Sequence, residues 1–382
     1  MNFALSEEQR AIFDMARCIA VEQIAPHALE WEEREHLPRE TLTALAELGM
    51  ASIYVTGEHG SDLSRLDATL IFEGLSYGCA STAAFLSIHN MCAWMVDSFG
   101  SDALKQKYLP QMATGEIICS YCLTEPGSGS DAAALRTSAR KMNDAYVLNG
   151  TKAFISGGGY SDLYLTMVRT GGEGPKGISA LLVEKGADGL AFGANERKMG
   201  WRNQPTAEVQ FDDCKVALDQ LLGEEGEGFR YAMMGLDGGR LNIAACALGA
   251  AQSALDKSVA YMGERSAFGK TLDQFQALQF KLADMEIALQ SARVFLRQAA
   301  WKLDNKTPDA TKNCAMAKKY VTDVCFDVAN TALQLHGGYG YLSAYGLEKI
   351  VRDLRVHQIL EGTNQIMQLI VSRALLAEQR AS

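Results

Sequence analysis

One carboxylate near the end of the chain has the setting of a base. In Ile359-Leu360-Glu361-Gly362-Thr363-Asn364-Gln365, Glu361 follows two bulky apolar residues and precedes a glycine, at the start of what reads as the last helix. A carboxyl group against an apolar wall resists ionisation, because desolvation penalises the charged form and lifts the pKa. Proteins prepare a Glu for proton abstraction near neutral pH in this way. A Glu in a first helical turn can equally serve the helix dipole.

Three other segments carry ligand-binding chemistry. A strand-like run ends in Tyr121-Cys-Leu-Thr-Glu-Pro-Gly-Ser-Gly-Ser-Asp131. Its glycines let backbone N–H groups approach a ligand closely, and the hydroxyls of Thr124, Ser128 and Ser130 flank them. The run is neither a P-loop nor a dinucleotide fingerprint, and an ordinary turn would use the same residues. In Leu335-His-Gly-Gly-Tyr-Gly-Tyr341, His336 follows a long helix that Gly337 would end as its left-handed cap. In Arg265-Ser-Ala-Phe-Gly-Lys-Thr-Leu-Asp-Gln-Phe-Gln276, Arg265 could hold a phosphate or simply face solvent between two helices. Cys119 and Cys122 form a C-x-x-C, but no second pair stands at zinc spacing, so no metal is expected.

Composition narrows the class of protein. At 382 residues the chain is long enough for two or three domains of ~150 residues each. It is 48% apolar and 21% charged, which is ordinary globular protein. Lys and Arg total 36 against 46 Asp and Glu, a net charge of −10 that argues against nucleic acid as a partner. No apolar run approaches the roughly 18–20 residues of a membrane span. The first residues carry Glu7 and Glu8 and no basic cluster, so neither a signal nor a transit peptide is expected. Nine cysteines, an odd number, suit free thiols in a reducing compartment. That means cytoplasm, or a mitochondrial matrix for a processed chain.

The texture changes twice, which predicts an α+β multidomain fold. Residues 1–115 read as an N-terminal helical domain. Ser6 caps a stripe of Ile12, Met15, Ile19 and Ile24, and helices follow near Arg39–Glu47, Leu66–Gly78, Ala83–Asp97 and Asp102–Met112, punctuated by Pro26, Pro38 and Pro110. Residues 116–228 read as a β domain, antiparallel because its strands lack intervening helices. Its strands fall around Tyr146, Leu163–Val168, Ile178–Val183 and Ala207–Phe211. Residues 229–382 read as a C-terminal four-helix bundle over Leu241–Met262, a stripe from Leu278 to Leu296, another from Val321 to Leu335, and Asn364–Ala377.

Taken in order, YCLTEPGSGSD, KAFISGG, RSAFGKTLDQFQ, LQLHGGYGY and ILEGTNQI make the chain similar to the acyl-CoA dehydrogenase family over its whole length. The resemblance implies FAD as cofactor, an acyl-CoA substrate, an electron-transfer flavoprotein as acceptor, and a homotetramer. It places Glu361 as the base that removes the α-proton while the β-hydrogen leaves as hydride to flavin N5. By the same resemblance, Tyr121, Cys122, Leu123, Thr124, Gly129, Ser130, Phe154, Ile155 and Ser156 meet FAD. Phe154 and Ser156 stand where many relatives have Trp and Thr. Arg265, Phe275, Gln276, Gln334, Leu335, His336, Gly337 and Gly338 reach a flavin held mainly by another subunit, and Thr363, Asn364 and Gln365 complete those contacts. Ser130, Asp237, Gly238, Gly239, Arg240 and Arg373 meet the CoA part. Some branched-chain relatives carry the base just before the arginine matching Arg240, but here that position is Gly239. SIHNMCAWM, GPKGIS, GLDGGRLNIA and VRDLRVHQILEG are similar to members that oxidise isobutyryl-CoA to methacrylyl-CoA in valine breakdown. A 2-methylbutyryl or butyryl thioester is the alternative substrate, and an acyl-CoA oxidase or a non-catalytic acyl-CoA-binding protein of the same fold is the alternative activity. The helix with Leu86, Ile88, Met91 and Trp94 is expected to shape the acyl end.

Overall fold

The computed structural model of the protein describes residues 4–381. Its first third is helical. The Ser6 side chain caps α1 (Glu7–Ile19), accepting from the Gln9 N–H while the Gln9 side chain accepts from Ser6. A π-turn at Ala20–Ile24 then shifts the helical register. Ile24 is therefore buried with Ala16 and Ile19, whereas Met15, expected on the same stripe, is exposed. There follow α2 (Ala28–Glu33), α3 (Arg39–Glu47), α4 (Arg65–Ser76), α5 (Ala80–Phe99) and α6 (Asp102–Ala113). Pro38 caps α3, but Pro110 lies inside α6 rather than at its end.

The middle third is one sheet of β1 (Cys119–Cys122), β2 (Ser138–Met142), β3 (Ala145–Ser156), β4 (Leu163–Arg169), β5 (Ile178–Glu184), β6 (Leu190–Phe192), β7 (Thr206–Ala217) and β8 (Leu221–Leu222). Its order is β6-β7-β3-β2-β4-β5-β8, with β1 added against β4. Most pairs are antiparallel, as the short connections require, but β1 runs parallel to β4, with Tyr121 opposite Leu165. A single parallel bridge also joins β2 to β4.

The last third begins with the long α7 (Gly228–Glu264) and a small hairpin, β9 (Ser266–Ala267) with β10 (Lys270–Thr271). It continues with α8 (Gln276–Asp304), α9 (Ala310–Leu335), α10 (Leu347–His357) and α11 (Asn364–Ala381). The four expected helices are present, and α10 is an addition. Its signal was there, since Leu347, Ile350, Val351 and Leu354 follow a helical spacing, but charged residues obscure it.

The two helical regions share one core, in which Phe72 and Leu75 of α4 pack with Leu241 and Leu248 of α7, Leu289 of α8 and Val321 of α9. The α4–α7 crossing depends on Gly249. A Cβ there would lie 2.0 Å from the Glu73 carbonyl oxygen and 2.2 Å from Ser76 Oγ. Gly249→Ala is expected to lower stability by about 1–3 kcal/mol, since backbone must move to admit the methyl. Thermal unfolding reads this directly, and an unchanged melting temperature would contradict it. All three regions meet at Glu32 of α2. Its carboxylate takes Arg352 of α10 at 2.6 Å and the Arg202 N–H at 3.2 Å, while Asp353 accepts from the Trp201 N–H at 2.6 Å.

Candidate active site

Glu361 lies in the connection between α10 and α11, with a backbone φ of +56°, and Gly362 follows at +87°. Left-handed backbone suits glycine and strains glutamate, so the surroundings must hold Glu361 in place. Arg240 of α7 reaches its carbonyl oxygen (3.5 Å) and pairs with Asp237 one turn back (2.6 Å). Asp237 also accepts from the Thr311 hydroxyl at 2.6 Å. Below the loop, the Lys318 ammonium of α9 donates to the Gly362 carbonyl at 2.8 Å and to Asn364 Oδ1 at 2.9 Å.

The carboxylate itself is left without such support. Its Oε2 is shut off from solvent and has no hydrogen-bond partner among the described residues. Burial pushes the pKa up to about 7, against the pull of the Arg240 and Lys318 charges. The group can therefore give up or take a proton near neutrality, as a general base must. A Cβ on Gly239 would lie 2.6 Å from Oε2 and 3.3 Å from Met91 Sδ. One turn earlier, a Cβ on Gly235 would lie 3.0 Å from Met95 Sδ. Bare backbone of α7 and two methionines of α5 thus wall the space beside the carboxylate. Of the α5 residues expected to shape the acyl end, Met91 stands beside Gly239 and Glu361, whereas Leu86 packs into the helical core.

Tyr121 brings the glycine-rich loop to the same place. Burial and then the Glu361 charge hold its hydroxyl protonated, and that hydroxyl also has no partner. Along β1 the side chains alternate. Tyr121 and Leu123 pack toward α5, while Cys122 turns into the sheet core with Ile155. Cys122 and Ile155 could meet a cofactor only through their backbone. Beyond them the loop is pinned by Glu125, which accepts from the Arg136 and Thr137 N–H groups and pairs with the fully buried Lys152 at 2.8 Å. Gly129 and Ser130 are exposed at its tip, and a Cβ on Gly127 or Gly129 would meet nothing within 4 Å.

The Thr124 carbonyl accepts from the Ala153 N–H at 2.9 Å, joining the end of β1 to an irregularity in β3. There the pairing with β7 skips between Lys152 and Ile155. Phe154, at φ +58°, is thrown outward and is 67% exposed. Beside it, Ser156 Oγ accepts from the Gln204 amide at 2.5 Å, which leaves Gln204 Oε1 buried and unpartnered. An outward aromatic ring, an orphaned amide oxygen and an open glycine edge fit a flat ring rich in heteroatoms, such as a flavin.

The other expected FAD residues form a second group. The Tyr261 ring stacks on His336 (4.3 Å) and lies edge-on to Tyr339 at 6.4 Å, and the Arg265 guanidinium sits over Tyr339 at 5.5 Å. Gln276, Gln334, Gly337 and Gly338 are exposed around it, Phe275 packs on Phe268, and Leu335 faces the core. Gly337, at φ +58°, ends α9 as expected. His336 is buried, with Nδ1 2.8 Å from the Ala332 carbonyl, so its ring is a helix-end and stacking element. The second group stands at the C-terminal end of α7, while Glu361 faces Gly239, about a third of the way along it. At about 1.5 Å per residue, Gly239 to Glu264 covers about 37 Å.

Several expected contact residues are engaged within the chain. The Asn364 amide donates to Asp323 at 2.7 Å and Thr322 at 3.1 Å, so a cofactor could meet only its backbone. Thr363 Oγ1 accepts from the Ile366 N–H at 3.2 Å as the cap of α11. Asp237 and Arg240 are buried in their own pair, and a Cβ on Gly238 would lie 2.4 Å from Arg65 Nη1. Gln365 and Arg373 are exposed on α11. No role for Arg65, Lys152 or Lys318 is legible in the sequence, although Lys152 opens the KAFISGG run. A buried lysine carries no local mark, and Lys318-Lys319 within a helix reads as a solvated face.

Comparison with known proteins agrees with this geometry. Residues 6–116, 120–214 and 226–376 match the N-terminal, middle and C-terminal domains of acyl-CoA dehydrogenase. The mitochondrial isobutyryl-CoA dehydrogenase of Bos taurus is 50% identical over 99% of this chain and 91% of its own length. That of Dictyostelium discoideum is 52% identical over 98% and 90%. The solved structure of butyryl-CoA dehydrogenase from Megasphaera elsdenii superposes with a TM-score of 0.95 at 38% identity, covering 98% of this chain and all of that one. The chain belongs to the acyl-CoA dehydrogenase family, the FAD-dependent oxidoreductases of acyl-CoA thioesters.

Proposed function

We propose that the protein oxidises isobutyryl-CoA to methacrylyl-CoA, a step of valine breakdown, with Glu361 as the base. The observation that carries the base assignment is Glu361 Oε2, shut off from solvent, without a hydrogen-bond partner among the described residues and facing the bare backbone at Gly239. The choice of substrate is supported by half-identity to two isobutyryl-CoA dehydrogenases.

The α-hydrogen of a thioester is a very weak acid, so position and electrostatics must do much of the work. Ionised Glu361 takes the α-proton on the oxygen that no hydrogen bond occupies. The Glu361 backbone N–H would donate to the thioester oxygen as it gains enolate character. Met91, Met95 and Tyr121 exclude water, which keeps the carboxylate a strong base. Bound FAD would be held by the backbone of Tyr121–Thr124, by Ser130 and by Phe154–Ser156, and it supplies the acceptor for the β-hydrogen. Ser130 and the Gly238–Gly239 backbone face the CoA side. An electron-transfer flavoprotein then takes the electrons away.

The group around Phe154 and the group around Arg265 and His336 belong in this reading to different flavins, each completed by a second copy in a homotetramer. Phe268, 96% exposed at φ +51°, caps the loop that would reach the neighbour. Phe280, Ile287, Val294 and Trp301 form an exposed seven-residue stripe along α8 that suits helix packing between copies. No helix among the described residues is long and apolar enough to cross a membrane. The nine free cysteines, eight of them buried, suit the reducing matrix or cytoplasm in which we place the enzyme.

The direct test is anaerobic addition of isobutyryl-, 2-methylbutyryl-, isovaleryl- and butyryl-CoA to the yellow protein. Fastest bleaching is expected with isobutyryl-CoA, and faster bleaching with butyryl- or 2-methylbutyryl-CoA would overturn the substrate. Because Glu361 must be ionised to act, kcat/KM is expected to rise with pH through a midpoint at about 7. A profile flat from pH 5 to 8 would refute the base assignment.

A further inference from the structure

We propose that Lys318 is a positioning residue for Glu361, a buried cation that clamps the left-handed turn carrying the base and biases the carboxylate toward its ionised form. The proposal rests on Glu361 being the base. Lys318 is fully buried at mid-α9, where a lysine is tolerated only with a defined set of partners. Its partners are the Gly362 carbonyl at 2.8 Å and Asn364 Oδ1 at 2.9 Å, the residues that follow Glu361 in the chain. Asn364 is in turn fixed by Thr322 and Asp323 on the same face of α9, and Asp323 also accepts from Gln358 before the turn, at 2.7 Å. Both ends of the strained segment are thus anchored to one helix, and Lys318 is the anchor next to the base.

The other titratable groups leave this cation a clear part to play. Arg240 of α7 faces Glu361 too, but its charge is matched by Asp237 at 2.6 Å. Cys92 of α5 and Tyr121 of β1 stay protonated because burial and the Glu361 charge both oppose their ionisation. His357 of α10 is held neutral, its pKa pushed down to about 3 by burial, with Nδ1 at 3.0 Å from the Ile243 carbonyl. Asp323 is the acid that faces Lys318 from its own helix. Burial pulls the Lys318 pKa down to about 7 while Glu361 draws it up, so each of the two groups favours the charged form of the other.

The test compares Lys318→Met, Lys318→Gln and Lys318→Arg in the FAD-loaded enzyme, with flavin content and melting temperature as checks on folding. In Met and Gln, kcat is expected to fall about tenfold or more with KM within about threefold, since the base is displaced and not the thioester. The acid midpoint of kcat/KM is expected to move up by about one unit, because a cation facing the carboxylate is gone. Lys318→Arg, which keeps the charge, should hold the midpoint even where its bulk lowers kcat. The Gln variant decides if the Met variant fails to take up flavin. A midpoint unmoved in the uncharged variants, or moved as far in Arg as in them, would overturn the proposal. Failure of the base assignment would show separately, as turnover retained in Glu361→Gln.

Discussion

Glu361→Gln is expected to bind FAD and fold as the parent does, yet lose 10²–10⁴-fold in kcat, roughly the contribution of a general base. The amide matches the carboxylate in shape, so the space beside Gly239 is undisturbed. What disappears is the capacity to accept the α-proton, and no neighbour can replace it. Tyr121 and Cys92 are held protonated, and Arg240 is a cation. The same substitution carries a stability signature. The Glu361 pKa rises from 4.5 to about 7 on folding, so the folded state binds this proton more tightly than the unfolded chain does. Stability is therefore lost as pH climbs from about 4.5 to about 7, and above that the full penalty of the buried charge remains. A neutral amide escapes it, by about 3 kcal/mol at most. At pH 8 the variant should melt at or above the parent, and below about pH 4.5 the two should agree. Turnover above about a tenth of the parent's, or a melting temperature clearly lower at pH 8, would contradict the assignment.

Much of this site is legible in the sequence because its parts are local. The glycine loop, the left-handed Gly337 and the Glu-Gly step are each set by residues adjacent in the chain, and the structure places them as read. The elements were legible for the same reason. Capping at Ser6 and the spacing of Val321, Val324 and Val328 report on one turn at a time. What escaped depends on residues far apart. Lys318 touches Gly362 and Asn364 across 44 and 46 positions, and Lys152 meets Glu125 across 27. Nothing in an Ala-Lys-Lys-Tyr stretch says which lysine faces inward. The parallel placement of β1 escaped too, since a strand reached through a helical domain carries no sign of its neighbour. The resemblance implies Asp237 and Arg240 as CoA contacts, and nothing in their i, i+3 spacing tells that the two charges are buried against each other on α7.

Gly239→Ala is expected to lower kcat/KM about 10²-fold while leaving the fold as stable as before or slightly more so. Alanine is favoured over glycine inside a helix by about 1 kcal/mol, and Gly239 lies well within α7 at ordinary helical backbone angles. The added methyl would nonetheless sit 2.6 Å from Glu361 Oε2 and 3.3 Å from Met91 Sδ. The carboxylate has to turn away, and a base displaced by about 1 Å loses about two orders of magnitude. Gly235→Ala is the control. Its methyl would meet Met95 Sδ at 3.0 Å, and a thioether with several free torsions can yield. That variant should lose far less, and the loss should grow with the size of the acyl group, since Met95 would be pushed into the space that holds it. Equal losses in the two variants would mean that the helix face, and not the carboxylate beside Gly239, sets the rate. The same steric reasoning explains why the base can sit on the loop at all. A side chain at position 239 would fill the space that Glu361 Oε2 occupies, and a glycine there, followed directly by Arg240, leaves room for that carboxylate with one cation beside its carbonyl.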